Sequence, residues 1–331
     1  MLKKVILPLA FAATTAFSAF PVLATTHSPA PAASAAAAVA ATLPPLIDVQ
    51  ALKAQLGRTD LRILDIRADK DYAAGHIPGA INTPYGKYRG PQDNPGQLPA
   101  EAALTELLQA AGVDADTQVV VVHGGANHTD FGAAARVYWT LKVGGLTRLS
   151  ILDGGTQGWQ AAGGALDSAA PAVARSRFSY RYDQDQIVSG EELAAALEAD
   201  NAPALIDARP AKFYSGEVRV DAAARYGTLP GARSLDNAQF FPAGATTLKP
   251  AAELKALVAQ AGAADAPAVS FCNTGHWAAT NWFVMSEIAG NKQVKLYPES
   301  IVGWSKSALP MENQPSRVTA LIQDVKRALD K

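Results

Sequence analysis

Apolar positions along the chain follow two different spacings. Short apolar runs such as Leu61–Asp65 and Val119–Val122 have the length of strands that are buried on both faces. Between such runs, Pro99–Gly112 and Pro250–Gly262 place apolar residues at i, i+3 and i+4, and each segment begins with a proline, which suits the first turn of a helix. Strands that alternate with helices predict an α/β fold, with a mainly parallel sheet flanked by helices on both faces.

The same order of motifs occurs twice. Leu61–Arg67 (LRILDIR) is echoed by Ala204–Arg209 (ALIDAR), and Gly75–Ala80 (GHIPGA) is echoed by Gly227–Ala232 (GTLPGA). A duplicated pattern of this length indicates a duplicated structural unit. The sequence therefore predicts two tandem modules, residues 46–165 and residues 186–310, with a boundary between 163 and 186 where the periodic pattern stops.

Local capping signals mark the first helix of each predicted module. Asp48 has the residue type and position of a helix N-cap in the first module. Ser189 and Glu192 have the spacing of a capping box in the second. Each module also ends on a glycine followed by a tryptophan, Trp159 or Trp304, which we expect to anchor the core.

Both ends of the chain differ in composition from the modules. Lys3 and Lys4, an apolar stretch and the small residues up to Ala24 predict a cleaved signal peptide over residues 1–24 and hence a periplasmic or secreted protein. A membrane anchor is the alternative, but the apolar stretch is short for one and polar residues interrupt it. Residues 25–45 are rich in Ala and Pro and predict a disordered linker. Residues 316–331 predict a C-terminal helix, packed on the second module, with one apolar face.

Composition narrows the possible partners. The net charge of −1 and the 18% of charged residues do not favour electrostatic binding of nucleic acid, and no stable membrane insertion is expected. The five histidines and one cysteine show no metal-ligand spacing, so we expect no metal and no cofactor. The remaining partner classes are a small molecule and another protein.

The one cysteine, Cys272, has the position of a reactive group. It follows the apolar run Pro267–Phe271 and precedes a predicted helix over Ala278–Ile288. Ligands of open α/β sheets bind beyond the carboxyl ends of the strands. A loop that leads into a helix also directs several backbone N–H groups to one point, which favours an anionic sulfur. We therefore expect a nucleophilic thiol at the mouth of a cleft; the alternative is an inert, buried cysteine.

The duplicated Asp-x-Arg and GHIPGA-like motifs, together with a strand-ending cysteine in the second copy, resemble the rhodanese family. They are most similar to its tandem-domain thiosulfate and 3-mercaptopyruvate sulfurtransferases, over roughly residues 46–309. The resemblance implies a non-catalytic first module, in which about position 123, a histidine, replaces the cysteine. It also implies that Cys272 carries a sulfane sulfur as a persulfide. The donor would be a small anion, and the acceptor would be cyanide, a thiol or a thiol protein.

The resemblance further implies a set of substrate-binding residues around the thiol. These are Asn273, Thr274, Gly275, His276, Trp277, Arg209, Arg219 and Arg225. Arg209 is the first choice for a cation facing an anionic donor, with a structural ion pair as the alternative. The loop carries Asn273 and Thr274 where thiosulfate-preferring relatives carry basic residues, so the donor is left open between thiosulfate and 3-mercaptopyruvate.

Two other functions compete with a sulfurtransferase. A phosphatase with a Cys-x5-Arg loop would need an arginine where this chain has Ala278, which argues against phosphoester chemistry. A sulfur carrier or sensor that delivers sulfur to a protein partner without turnover stays open.

Overall fold

The computed structural model describes residue 5 and residues 9–16, 41–199 and 202–329. The predicted signal peptide and linker lie largely outside these residues. The described residues from 42 to 329 belong to one compact unit. No helix among the described residues is both long and apolar enough to cross a membrane.

The first module is a five-stranded, fully parallel sheet in the order β1-β5-β4-β2-β3. Its strands are β1 (Leu46–Ile47), β2 (Leu61–Asp65), β3 (Ala80–Asn82), β4 (Gln118–Val122) and β5 (Leu149–Leu152). Its helices are α1 (Val49–Lys53), α2 (Asp69–Ala73), α3 (Glu101–Ala110), α4 (His128–Val143) and α5 (Gly155–Ala161). Every residue of the central strand β4 is buried, which confirms the prediction from its continuous apolar run.

The second module repeats this arrangement with four parallel strands in the order β7-β6-β8-β9. Its strands are β6 (Ala204–Asp207), β7 (Arg233–Ser234), β8 (Ala268–Phe271) and β9 (Val294–Leu296). Its helices are α6 (Gly190–Leu197), α7 (Ala211–Tyr214), α8 (Ala251–Gln260), α9 (Trp277–Phe283), which continues as a π turn over Val284–Ile288, and α10 (Ser300–Trp304). A single parallel bridge between Ile187 and Leu296 takes the place that β1 has in the first module. The duplication read from the sequence is therefore confirmed in the strand order.

Helices α4 and α9 join the two modules. Each begins just after the loop that follows the central strand of its own sheet. Phe131 and Tyr138 of α4 form edge-on ring contacts with Phe283 of α9, at centroid distances of 5.7 and 5.1 Å. The largest hydrophobic core runs through this contact and contains residues of both modules. The loop of one module is thereby held against the helix of the other.

The local signals read from the sequence are confirmed. Asp48 accepts a hydrogen bond from the Ala51 amide, and the Ser189–Glu192 capping box forms both of its bonds. The segment between the modules has little regular structure, but it packs closely. Tyr180 is fully buried there and its hydroxyl donates to the carbonyl of Thr140 in α4 at 2.6 Å.

The C-terminal helix, α11, spans Arg317–Leu329 and contacts the second module. Its polar side faces the module: Asp324 accepts hydrogen bonds from Arg219 and Tyr226. Its apolar side is exposed. The helix lies on the second module as predicted, and the side through which it packs, which the sequence did not indicate, is the polar one.

Candidate active site

Cys272 lies directly beyond the carboxyl end of β8, at the start of the loop that leads into α9. The strand forms because Ala268–Phe271 is buried throughout and is paired on both sides, by β6 and β9. The chain then leaves the sheet and turns through residues 273–276 before α9 begins at Trp277. This is the position at which open α/β sheets bind ligands.

The loop is held in its curved shape by Ser300. The Ser300 hydroxyl accepts hydrogen bonds from the amides of Cys272 at 3.0 Å and of Gly275 at 3.1 Å, and it donates to the carbonyl of Tyr297 at 2.8 Å. Ser300 is fully buried and has a positive φ of 54°, which is uncommon for a residue other than glycine. Such a conformation persists when surrounding contacts fix it, as these three bonds do.

Gly275 is the position in the loop that requires a glycine. Its φ is +69°, and a Cβ atom there would lie 2.2 Å from a guanidinium nitrogen of Arg136 and 2.5 Å from the Pro298 carbonyl oxygen. The loop backbone is therefore pressed against the first module at this point.

Three loop amides, those of Asn273, Thr274 and His276, form no hydrogen bond within the part of the chain that the structure describes. Unpaired N–H groups in a tight turn are suited to hold an anion. The thiol itself accepts no hydrogen bond from a described residue, and Cys272 is only 1% exposed. The expectation of a thiol open to a cleft is therefore corrected, because neighbouring groups cover the side chain.

His276 ties the loop to the first module. Its Nε2 lies 2.8 Å from the Thr129 carbonyl oxygen, which can only accept, so Nε2 carries the proton. Its Nδ1 then accepts from the Tyr85 hydroxyl at 2.7 Å. Burial, and then the charge of Arg89, lower the pKa of His276 to about 3. His276 is thus a neutral tether in this state. Trp277 lies beside it and donates to the Thr129 hydroxyl at 3.3 Å.

Arg136 in α4, a buried arginine of the first module, binds the same loop. Its guanidinium donates to the carbonyls of Gly275 at 3.2 Å and Gly96 at 3.0 Å, and at 3.5 Å to that of Thr274. Burial lowers its pKa to about 10, which leaves it charged at neutral pH. Arg136 forms no ion pair with the described residues of either module. A buried cation without a carboxylate favours negative charge nearby, and the cysteine loop lies in contact with it.

Arg89 adds a second positive charge on this side. Its guanidinium lies over the ring of Tyr85, 5.3 Å from the centroid, and it too forms no ion pair among residues 41–199 and 202–329. Arg89 lowers the pKa values of both Arg136 and His276, although burial contributes more in each case. The site thus receives two cations from the module expected to be non-catalytic.

The arginine predicted to bind the donor, Arg209, is engaged elsewhere. Its guanidinium forms a two-nitrogen ion pair with Asp207, with distances of 2.9 and 2.6 Å, and also donates to the Gly227 carbonyl. It is 1% exposed, and its remaining contact with the site is a long bond of 3.4 Å to the Asn273 side chain. The geometry gives Arg209 the role of a buried support beneath the loop.

The structure does not bring the other two predicted arginines to the thiol. Arg219 pairs with Asp324 of the C-terminal helix. Arg225 donates to the carbonyls of Trp304, Ser305 and Ser307. Both side chains are therefore engaged in contacts within the second module and with the C-terminal helix.

The equivalent loop of the first module holds a histidine and a carboxylate where the second module has its thiol. His123 takes the position of Cys272 after β4, is buried, and has no partner for either ring nitrogen among the described residues. The Asp130 carboxylate accepts from the Ala126 amide at 2.8 Å, and a Cβ atom on Gly124 would lie 2.8 Å from the same oxygen. A carboxylate therefore occupies the loop, beside a cavity of about 620 Å³.

His123 should make folding stability depend on pH. Burial lowers its pKa to about 4, below the value of 6.5 for an exposed histidine, so the unfolded chain binds this proton more readily and stability falls as the pH drops below about 6.5. From about pH 7 to about pH 5 the loss is roughly 2 kcal/mol for this residue. Asp153 acts in the opposite direction, because burial raises its pKa to about 6.

The measurement is urea unfolding at both pH values for wild type and His123→Gln, which keeps hydrogen-bonding groups but does not titrate. The variant should lose roughly 2 kcal/mol less between the two pH values. An identical pH dependence in both proteins would show that His123 does not titrate in this way.

A parallel-sheet module present twice, with a lone strand-ending cysteine in the second copy, is the arrangement of a family of sulfur-handling domains. The rhodanese-like domain model matches residues 48–162 and 189–307, and the chain belongs to this family. A thiosulfate sulfurtransferase of Pseudomonas aeruginosa is 30% identical over 267 residues, covering 79% of this chain and 94% of the relative. A protein named sulfur carrier protein TtuD, of Thermus thermophilus, is 28% identical over 276 residues, covering 78% of this chain and 93% of the relative.

A similar architecture is found in a solved structure. The crystal structure of SseA from Escherichia coli, described as a 3-mercaptopyruvate sulfotransferase with the rhodanese fold, superposes with a TM-score of 0.68 at 25% identity. The match covers 78% of this chain and 99% of that one. The α/β fold with two tandem rhodanese modules is therefore established.

Sequence reasoning missed Ser300, Tyr85 and Arg136. A signal existed for Ser300: in the internal repeat it aligns with Gly155, whose φ is +58°, so the position demands an unusual backbone in both copies. Tyr85 and Arg136 are far from the cysteine in sequence and belong to no repeated motif, so only the packing of the modules reveals them.

Proposed function

We propose that the chain is a sulfurtransferase that carries a sulfane sulfur on Cys272. The observation that supports this most directly is the position of the only thiol, at the head of a loop with three unpaired amides and next to the cation of Arg136. Hydrogen-bond donors and positive charge would stabilise an anionic sulfur added to Cys272, without a metal or a general base.

The reaction has two displacements. The Cys272 thiolate attacks the outer sulfur of thiosulfate, the sulfur–sulfur bond of the donor breaks, and sulfite leaves with the electron pair. With 3-mercaptopyruvate the carbon–sulfur bond breaks instead, and the proton of the donor's own thiol passes to the departing enolate, which becomes pyruvate. An acceptor such as cyanide then attacks the outer sulfur of the persulfide, and the thiolate returns.

The residues around the loop act by position and charge. The amides of Asn273, Thr274 and His276 would hold the outer sulfur, while Ser300 keeps the loop curved. His276 donates its proton to a backbone carbonyl and accepts from Tyr85, so it fixes the loop and does not supply a proton. The positive charges of Arg89 and Arg136 would attract an anionic donor. These two residues would then have the role that the sequence suggested for Arg209.

A sulfur carrier is the second candidate function. The observation that favours it is the burial of Cys272, which would protect a persulfide between loading and delivery. One relative, at 28% identity, is named a sulfur carrier protein. A carrier would form the persulfide but would release its sulfur slowly to small acceptors.

Intact-mass measurement after incubation with thiosulfate or 3-mercaptopyruvate tests both candidates. We expect a gain of one sulfur atom on the chain and its rapid loss on addition of cyanide or a dithiol. Persulfide formation with slow release would favour the carrier. The absence of a sulfur adduct with either donor would contradict both.

We also propose that the chain is exported, because Lys3, Lys4 and the small residues up to Ala24 have the pattern of a signal peptide. The mature protein would then begin at Thr25 in the periplasm or the medium. Recovery of an uncleaved chain from the cytoplasm alone would contradict export.

A further inference from the structure

The C-terminal helix α11 is held to the second module by its polar side. Asp324 accepts from Arg219 at 3.0 Å and from Tyr226 at 2.6 Å, and Arg327 lies 3.3 Å from Asp221. Ser316 caps the helix, since its hydroxyl accepts from the Thr319 amide. The helix is therefore fixed on the module by polar contacts.

The opposite side of α11 is aliphatic and exposed. Its large side chains are 51 to 80% exposed: Val318, Leu321, Ile322, Val325 and Leu329. Among described residues outside this helix and outside residues 5–16, the exposed large apolar side chains are Leu56 at 37% and Val218 at 36%. A contiguous aliphatic stripe on one helix is a feature that soluble surfaces rarely leave uncovered.

The unpaired charges on the described part of α11 are both positive. Arg317 and Lys326 are exposed, form no ion pair with described residues, and lie at opposite borders of the stripe by helical spacing. The one carboxylate within Arg317–Leu329, that of Asp324, is used on the polar side. An amphipathic helix with an aliphatic face and basic borders suits an anionic surface into which aliphatic groups can insert.

A second copy of the chain fits this face less well. Two copies would bring basic borders together with no free carboxylate within Arg317–Leu329 to pair with them. A face carried by one 13-residue helix is also narrow for a dimer, since each partner in a standard specific interface buries ~800 Å². Charge and area therefore both favour a lipid surface.

We propose that α11 binds the surface of a bilayer that contains anionic phospholipid. The five aliphatic side chains would enter the boundary between headgroups and acyl chains, with Arg317 and Lys326 among the lipid phosphates. The polar contacts of α11 with Arg219, Tyr226 and Asp221 would then hold the second module at the membrane surface. This inference does not depend on the sulfur chemistry.

The test is sedimentation of the full chain with phosphatidylcholine vesicles, with and without phosphatidylglycerol, together with amide hydrogen exchange of residues 317–329. We expect binding to the anionic vesicles and slower exchange in the helix. Leu321→Glu with Val325→Glu, and separately Arg317→Gln with Lys326→Gln, should each weaken binding on the order of tenfold or more. Leu56→Glu is the matched control and should bind as wild type does.

Three results would overturn the proposal. One is unchanged exchange in residues 317–329 on anionic vesicles, and another is wild-type binding by both pairs of variants. The third is a dimer in light scattering without vesicles that Leu321→Glu with Val325→Glu converts to a monomer, because the face would then belong to a second copy. The wild type and all α11 variants carry the same N-terminal residues. Lipid binding by the N-terminal residues would therefore be equal in all of them and cannot explain a difference in vesicle binding.

Discussion

Cys272→Ser should reduce sulfur transfer by at least about a thousandfold, because a serine hydroxyl cannot form the persulfide on which both displacements depend. The variant should also show no gain of a sulfur atom by intact mass with either donor. The sulfur it removes is buried and makes no hydrogen bond with a described residue, so the hydroxyl that replaces it should lower the free energy of unfolding by about 1 to 3 kcal/mol. Thiocyanate formation and thermal unfolding measure the two effects.

A matched control lies in the other module. His123→Cys restores a cysteine at the equivalent position, but the Asp130 carboxylate already occupies that loop. It should therefore not rescue Cys272→Ser, because two like charges would compete for the same amides. Transfer by Cys272→Ser at a rate near that of wild type would remove Cys272 from the mechanism.

Asp207→Ala should lower the free energy of unfolding by about 3 to 5 kcal/mol, because it leaves the Arg209 cation buried without a partner. The Thr228 hydroxyl and the Arg209 amide lose their acceptor in the same step. Urea unfolding measures the loss, and sulfur transfer should fall as well, since Arg209 supports Asn273 in the loop.

The first module offers the control for this change. Asp65 and Arg67 form the equivalent pair, but the Arg67 side chain is 14% exposed against 1% for Arg209. Water can therefore replace part of the lost partner in Asp65→Ala, which should cost less. An equal cost in the two modules would show that burial of the arginine does not decide the effect.

The two modules have divided one site between them. The second supplies the thiol and the curved loop, while the first supplies Tyr85, Thr129 and Arg136, which hold the loop from the other side. The first module thus belongs to the candidate site although it has no cysteine, because the loop of the second module is bonded to side chains and carbonyls of the first. Duplication alone would not produce this division; it follows from the packing of α4 on α9.

The order of residues along the chain was enough to predict the strands, the duplicated modules, the caps at Asp48 and Ser189, and the position of Cys272. These features depend on residues close together in the chain, since strand periodicity, helix capping and strand-end loops are all local. The folded chain was needed to show which cations lie beside the cysteine loop, that the thiol is covered, and that the aliphatic side of α11 faces outward. Arg136 lies 139 residues from Gly275 and Tyr85 lies 191 residues from His276, so their contacts exist only once two sheets have packed together. Each arginine could pair with several acids or carbonyls, and burial and distance in the folded chain select among them.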